Sequence, residues 1–146
     1  IYSKYNFDKI VLPYVQEVRP AGNIDVGLPV ECLSDKNKND MISTRRYKYT
    51  SPSSGMDALL YCVNDLGADV VNIIGMDFYD NSGYHTNSFG NNPADKSKAM
   101  KYGESTESMT NFLTNFISNK ADVQFNLYTK SQYNTKLENL KIIRVI

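Results

Sequence analysis

The sequence predicts an α/β fold, a parallel sheet flanked by helices. Three observations carry this. An amphipathic helix runs straight into a short β-branched stretch, a second amphipathic helix runs into a second such stretch, and a long polar segment joins the two units. The order helix–strand–loop–helix–strand is that of a layered domain whose crossovers make successive strands parallel. With 146 residues the chain has room for a single domain, residues 1–146, with one core.

Taken in order, Ile10 to Val15 is an apolar run interrupted by Pro13, which limits it to an edge strand. Arg19 to Ser34 is punctuated by Pro and Gly and reads as loop with one short strand. Asp35 to Thr50 is polar and reads as surface, extended at its TRRYKYT end. At Ser53 the helical period begins: Met56, Leu59, Leu60 and Val63 recur at one-face spacing. Ser53 or Ser54 caps this helix, Asp57 complements the dipole of the first turn, and Gly67 is the C′ residue. Val70 to Ile74 is almost continuously apolar, as in a strand covered on both faces, and Gly75 ends it. Asn81 to Lys98 is rich in Asn, Ser and Gly without periodicity, which reads as a lid loop. A second helix starts near Thr106, capped by Ser105 or Thr106, with a stripe of Met109, Phe112, Leu113, Phe116 and Ile117. DVQFNLYT alternates as a strand, and LKIIRVI closes the chain as another.

Sixteen basic and sixteen acidic side chains cancel, and no basic tract points to nucleic acid. Two cysteines, Cys32 and Cys62, make no disulfide framework and are expected to be reduced, in a cytoplasmic compartment. No run reaches the roughly 18 apolar residues of a membrane span. The chain opens on Ile1 rather than Met, so it is expected to be a piece of a longer protein, incomplete at its N-terminus.

Ligands of open parallel sheets sit beyond the carboxyl ends of the strands. At the end of Val70–Ile74 stand Gly75, Asp77, Phe78 and Tyr79: a glycine that permits close approach, a carboxylate, a ring and a phenol. The Ser53-Ser54-Gly55 turn adds two hydroxyls and the N–H groups of a helix start, which suit an anion. A nucleotide-sugar combines an anionic part with hydroxyl and ring parts. The same residues also serve as an ordinary cap and an ordinary packed turn. GxGxxG, GxxxxGK[ST], CxxC, HExxH and GxSxG patterns are absent, so no metal or other cofactor is expected, and the sole histidine is His85.

The stretch PSSGMDALLYCVNDLGADVVNIIGMDFYD resembles the central motif of bacterial sialyltransferases of the Campylobacter type, members of glycosyltransferase family 42. There, a Thr/Ser-Ser-Gly turn, a helix and a strand lead into Gly-x-Asp-Phe-Tyr. The likeness is best over Ser51 to Tyr84 and weaker through Thr129. It implies a Rossmann-like parallel sheet flanked by helices, a GT-A-like variant, and metal-independent, inverting transfer of sialic acid from CMP-sialic acid to a galactose-type hydroxyl. On this basis Ser53, Ser54 and Gly55 hold the sialyl and phosphate groups, and Gly75, Asp77 and Phe78 belong to the donor site. Tyr79 and Tyr84 hydrogen-bond the departing phosphate. The segment Gly103-Glu104-Ser105 is similar to the family's Gly-His-Ser, so Glu104 stands where the family has its catalytic histidine. A carboxylate there can act as the base or mark a lost activity; at a helix start it also complements the dipole. His85, in the loop, is an ordinary surface histidine on the simpler reading and a substitute base on the alternative one. The family's arginine before the turn is replaced by Ser51 and Pro52, with Arg45 and Arg46 upstream. The family's Asn-Gly-Pro-Ser loop is not in this chain, which implies the C-terminal part of a catalytic domain, inactive alone. The implied partners are a nucleotide-sugar donor and a glycan acceptor, with peripheral membrane contact through other segments and a homo-oligomer both open. Alternatives are a non-catalytic nucleotide-sugar or glycan binder, and a pterin pyrophosphokinase-like enzyme of related fold.

Overall fold

The computed structural model describes residues 9–12, 30–43, 48–76, 78 and 106–146. In chain order the elements are β1 (Ile10–Leu12), β2 (Val30–Cys32), a 3-10 helix (Asp35–Asn39), α1 (Ser54–Leu60) continuing into a π turn (Tyr61–Asp65), β3 (Val70–Ile74), α2 (Thr106–Ser118), β4 (Gln124–Thr129) and β5 (Leu140–Arg144). β1 and β2 pair in parallel. β3, β4 and β5 form a parallel sheet in that order. The α/β class is therefore as the helix and strand periods predict.

Register explains which residues the sheet buries. Val71 lies opposite Phe125 and Ile73 opposite Leu127; Phe125 and Leu127 in turn face Leu140 and Ile142. Because strand side chains alternate, all of these share one face. Phe125 and Leu127 are 0% exposed and join one continuous core with Met56, Leu59, Leu60 and Val63 of the first helix and the whole apolar stripe of α2. The ring of Phe116 meets Phe125 edge-on at 6.2 Å, and Phe112 stacks on Phe116 at the same distance. Each such buried side chain contributes about 2 kcal/mol.

The opposite face is open. Val70 is 54% and Ile74 78% exposed, and Asn72 receives a hydrogen bond from Asn126 across it at 3.0 Å. The expectation of a β3 covered on both faces is thus corrected. Its apolar residues do occupy both sides, but α1 and α2 both pack on the side of Val71 and Ile73.

Ser53 caps α1, its Oγ accepting from the Met56 N–H at 3.4 Å. At the other end the helix widens, and the Leu66 N–H donates to the Tyr61 carbonyl at 3.0 Å, five residues back. Gly67, at φ 69°, then turns the chain out, a left-handed position that suits glycine.

The segment after β2 departs from its surface reading. Asn37 is fully buried. Its amide donates to the Ser34 carbonyl at 3.1 Å and to Asp65 Oδ2 at 2.9 Å, while its oxygen accepts from Asn64 at 3.0 Å. Ser34 donates to Asp65 through both its hydroxyl and its N–H. Asn64 also donates to Asp40 at 2.8 Å, and Asp40 pairs with Lys120 just beyond α2 at 2.8 Å. The 3-10 helix is thereby fastened to the π turn and to the far end of α2. Burial disfavours the charge on Asp65, but the hydrogen bonds from Ser34 and Asn37 together outweigh it and hold the carboxyl below its ordinary value.

Cys32 is exposed and Cys62 half-buried, and both are free thiols. Among the described residues no helix is long and apolar enough to cross a membrane.

Candidate functional site

Parallel strands with returning helices bring helix starts to the carboxyl end of the sheet, and here they meet it closely. A β-carbon placed on Gly55, in the first turn of α1, would stand 3.2 Å from the Met76 methyl, two residues past β3. The Ser53-Ser54-Gly55 turn and the end of β3 are therefore neighbours. Ser54 and Gly55 are exposed, whereas the Ser53 hydroxyl is used as the cap. Ser51 donates to Asp57 at 2.7 Å, and burial pushes the Asp57 carboxyl up against the opposing effect of that bond.

Gly75 has φ 79°, which lets the chain leave β3 sharply. Phe78 also has a positive φ, 56°, and is 1% exposed. A bulky residue in that region costs on the order of 1–2 kcal/mol, which the burial of its ring offsets. The ring packs on Tyr133 with centroids 5.0 Å apart. Asp77, Tyr79, Tyr84, His85, Glu104, Ser105, Arg45, Arg46 and the lid segment 81–98 lie outside the described residues.

A polar relay ties the end of β3 to the segment after β4. Thr129 Oγ1 donates to the Met76 carbonyl at 3.1 Å and accepts from the Ser131 N–H at 3.0 Å; Ser131 Oγ accepts from the Tyr133 N–H at 3.2 Å. Thr129 and Ser131 are buried, at 3% and 1% exposure. Arg144, at the end of β5, donates to the carbonyls of Ser131 and Tyr133. The Tyr133 hydroxyl shares a hydrogen bond with Thr114 of α2 at 2.7 Å, and burial pushes its phenol up despite that bond. Between these parts lies a cleft of about 370 Å³, walled by Phe78, the first turns of α2 and residues 132–135. Its volume lies in the range of roughly 300–1,000 Å³ typical of small-ligand sites.

Sequence reasoning pointed to the α1 turn and the end of β3. It did not single out Thr129, Ser131, Tyr133 or Arg144. The one available signal was Thr129, a polar residue on the inward phase of an alternating strand. Among the described residues no group of carboxylates, thiols and imidazole with metal-holding geometry is found. The chain has no significant match among protein-family models, curated proteins or solved structures.

Proposed function

We propose that this chain is part of a sialyltransferase-like glycosyltransferase with a Rossmann-like sheet, taking sialic acid from CMP-sialic acid to a galactose-type hydroxyl with inversion. The observation that carries the reading is the contact between the α1 turn and the end of β3, the two parts of the sequence that resemble the donor motif. Ser54 and Gly55 are exposed residues at a helix start, where backbone N–H groups without intrahelical partners suit a phosphate. The left-handed Phe78 supports the same reading, since such backbone outliers cluster at ligand sites.

In the proposed reaction the acceptor oxygen bonds to the anomeric carbon as the bond from that carbon to the CMP phosphate oxygen breaks. Glu104 takes the acceptor proton, and the phenols of Tyr79 and Tyr84 donate hydrogen bonds to the departing phosphate. No metal is assigned a role.

Calorimetric titration of the chain with CMP-sialic acid, beside UDP-galactose, tests this. Saturable heat with the cytidine donor at sub-millimolar affinity and none with the uridine donor is the expected result. Equal heats, or none with either, would overturn it. A second reading, a nucleotide-sugar binder without transfer, is favoured by Glu104 at the histidine position. For the full-length protein it predicts binding with no sialyl transfer to lactose and no change on Glu104→Gln.

A further inference from the structure

We infer that the cleft between the start of α2 and residues 132–135 binds an uncharged, hydroxyl-rich ring of pyranose size. This rests on the proposed glycosyltransferase reading and deepens it by separating a neutral-sugar cleft from the phosphate end at Ser54 and Gly55.

The lining is uniform in kind. Among the described residues its side chains are hydroxyls (Thr106, Thr110, Thr114 and Thr135), carboxamides (Asn111, Gln132 and Asn134) and the rings of Phe78 and Tyr133, and none of these is charged. A carboxamide both donates and accepts, as a sugar hydroxyl does, so amide walls match a polyol without requiring an ionic partner. Asn111 and Asn134 are exposed, one on each wall. The floor is rigid, because Phe78 and Tyr133 pack on each other and Tyr133 is held by Thr114. Thr110 donates back to the Thr106 carbonyl at 2.8 Å, leaving its oxygen as an acceptor.

An anion is the competing occupant, since a helix starts here. Glu107 already places a carboxylate in that first turn, where it complements the dipole and repels a second negative charge. Arg144, at the end of β5, is engaged with the carbonyls of Ser131 and Tyr133.

The test is a chemical-shift titration of the isotope-labelled chain with methyl β-galactopyranoside, inorganic phosphate and cyclohexanol in separate arms. The expected result is saturable shifts at Thr110, Asn111 and Asn134 with the galactoside alone. Asn111→Ala and Asn134→Ala, both at exposed positions, should each weaken that binding about 3- to 10-fold while the remaining spectrum is unchanged. Phosphate acting at these residues, cyclohexanol binding as well as the sugar, or no saturation with the sugar would each overturn the inference. CMP binding at Ser54 and Gly55 is read in a separate arm, so loss of the cleft's ligand and loss of the donor reading are distinguishable.

Discussion

Asn37 illustrates what a single side chain contributes and why it was hard to see. Its neighbours Asp35, Lys36 and Lys38 make the segment look solvated, yet Asn37 is fully buried and holds together Ser34, Asn64 and Asp65. No one-residue exception is visible in a polar run, because the partners arrive from 27 and 28 positions away. Removing it deletes three hydrogen bonds at a fully buried position, so Asn37→Ala should cost about 2–4 kcal/mol in urea unfolding. Asp65 makes the same cluster pH-dependent. Its folded value lies below the roughly 3.9 of a free aspartate, so its contribution is complete above that value and is lost as pH falls through the folded one. Between about pH 5 and pH 2, the unfolding midpoint of the wild type should therefore fall further than that of Asp65→Asn. Parallel declines would remove Asp65 from the account. Asp57 has the opposite sign. Its raised value means that its contribution is present at low pH and lost as pH rises through the folded value.

At the scale of elements, periodicity was the informative signal. The stripe of α2 and the alternation of β4 are both realised, because each element meets the core along one side and the apolar residues follow that side. β3 shows where pattern reading stops. A run of Val and Ile records that both faces are apolar, but which face is covered depends on where the helices land. The structure makes a sharp contrast of two adjacent residues. Ile73→Ala should cost about 2–5 kcal/mol, as for a buried aliphatic. Ile74→Ala should stay within about 0.5 kcal/mol. Similar losses at both positions, measured by urea unfolding, would contradict a one-sided β3. The segment after β4 was unreadable for a different reason: Ser131 and Tyr133 are fixed by the side chains of Thr129, Thr114 and Arg144, and a segment without a period gives no hint of such partners.

Over the whole molecule, the sheet order and the two helices place the α1 turn, the end of β3 and the start of α2 at the carboxyl end of the parallel strands. The turn and the strand end were legible as motifs, whereas their contact through Gly55 and Met76 was legible only in three dimensions. The cleft beside them is built from residues that no motif marks, since threonines and amides at helix and loop positions are common in any sequence. The central claim is that the α1 turn and the end of β3 form one donor site. It is tested most directly by mapping the amide shifts of the chain as CMP is added to about 10 mM, a range that covers dissociation constants near 1 mM. The account predicts saturable shifts gathered at Ser53, Ser54, Gly55, Gly75 and Met76. No saturable shift, or shifts gathered instead on the open face at Val70, Asn72 and Ile74, would contradict it.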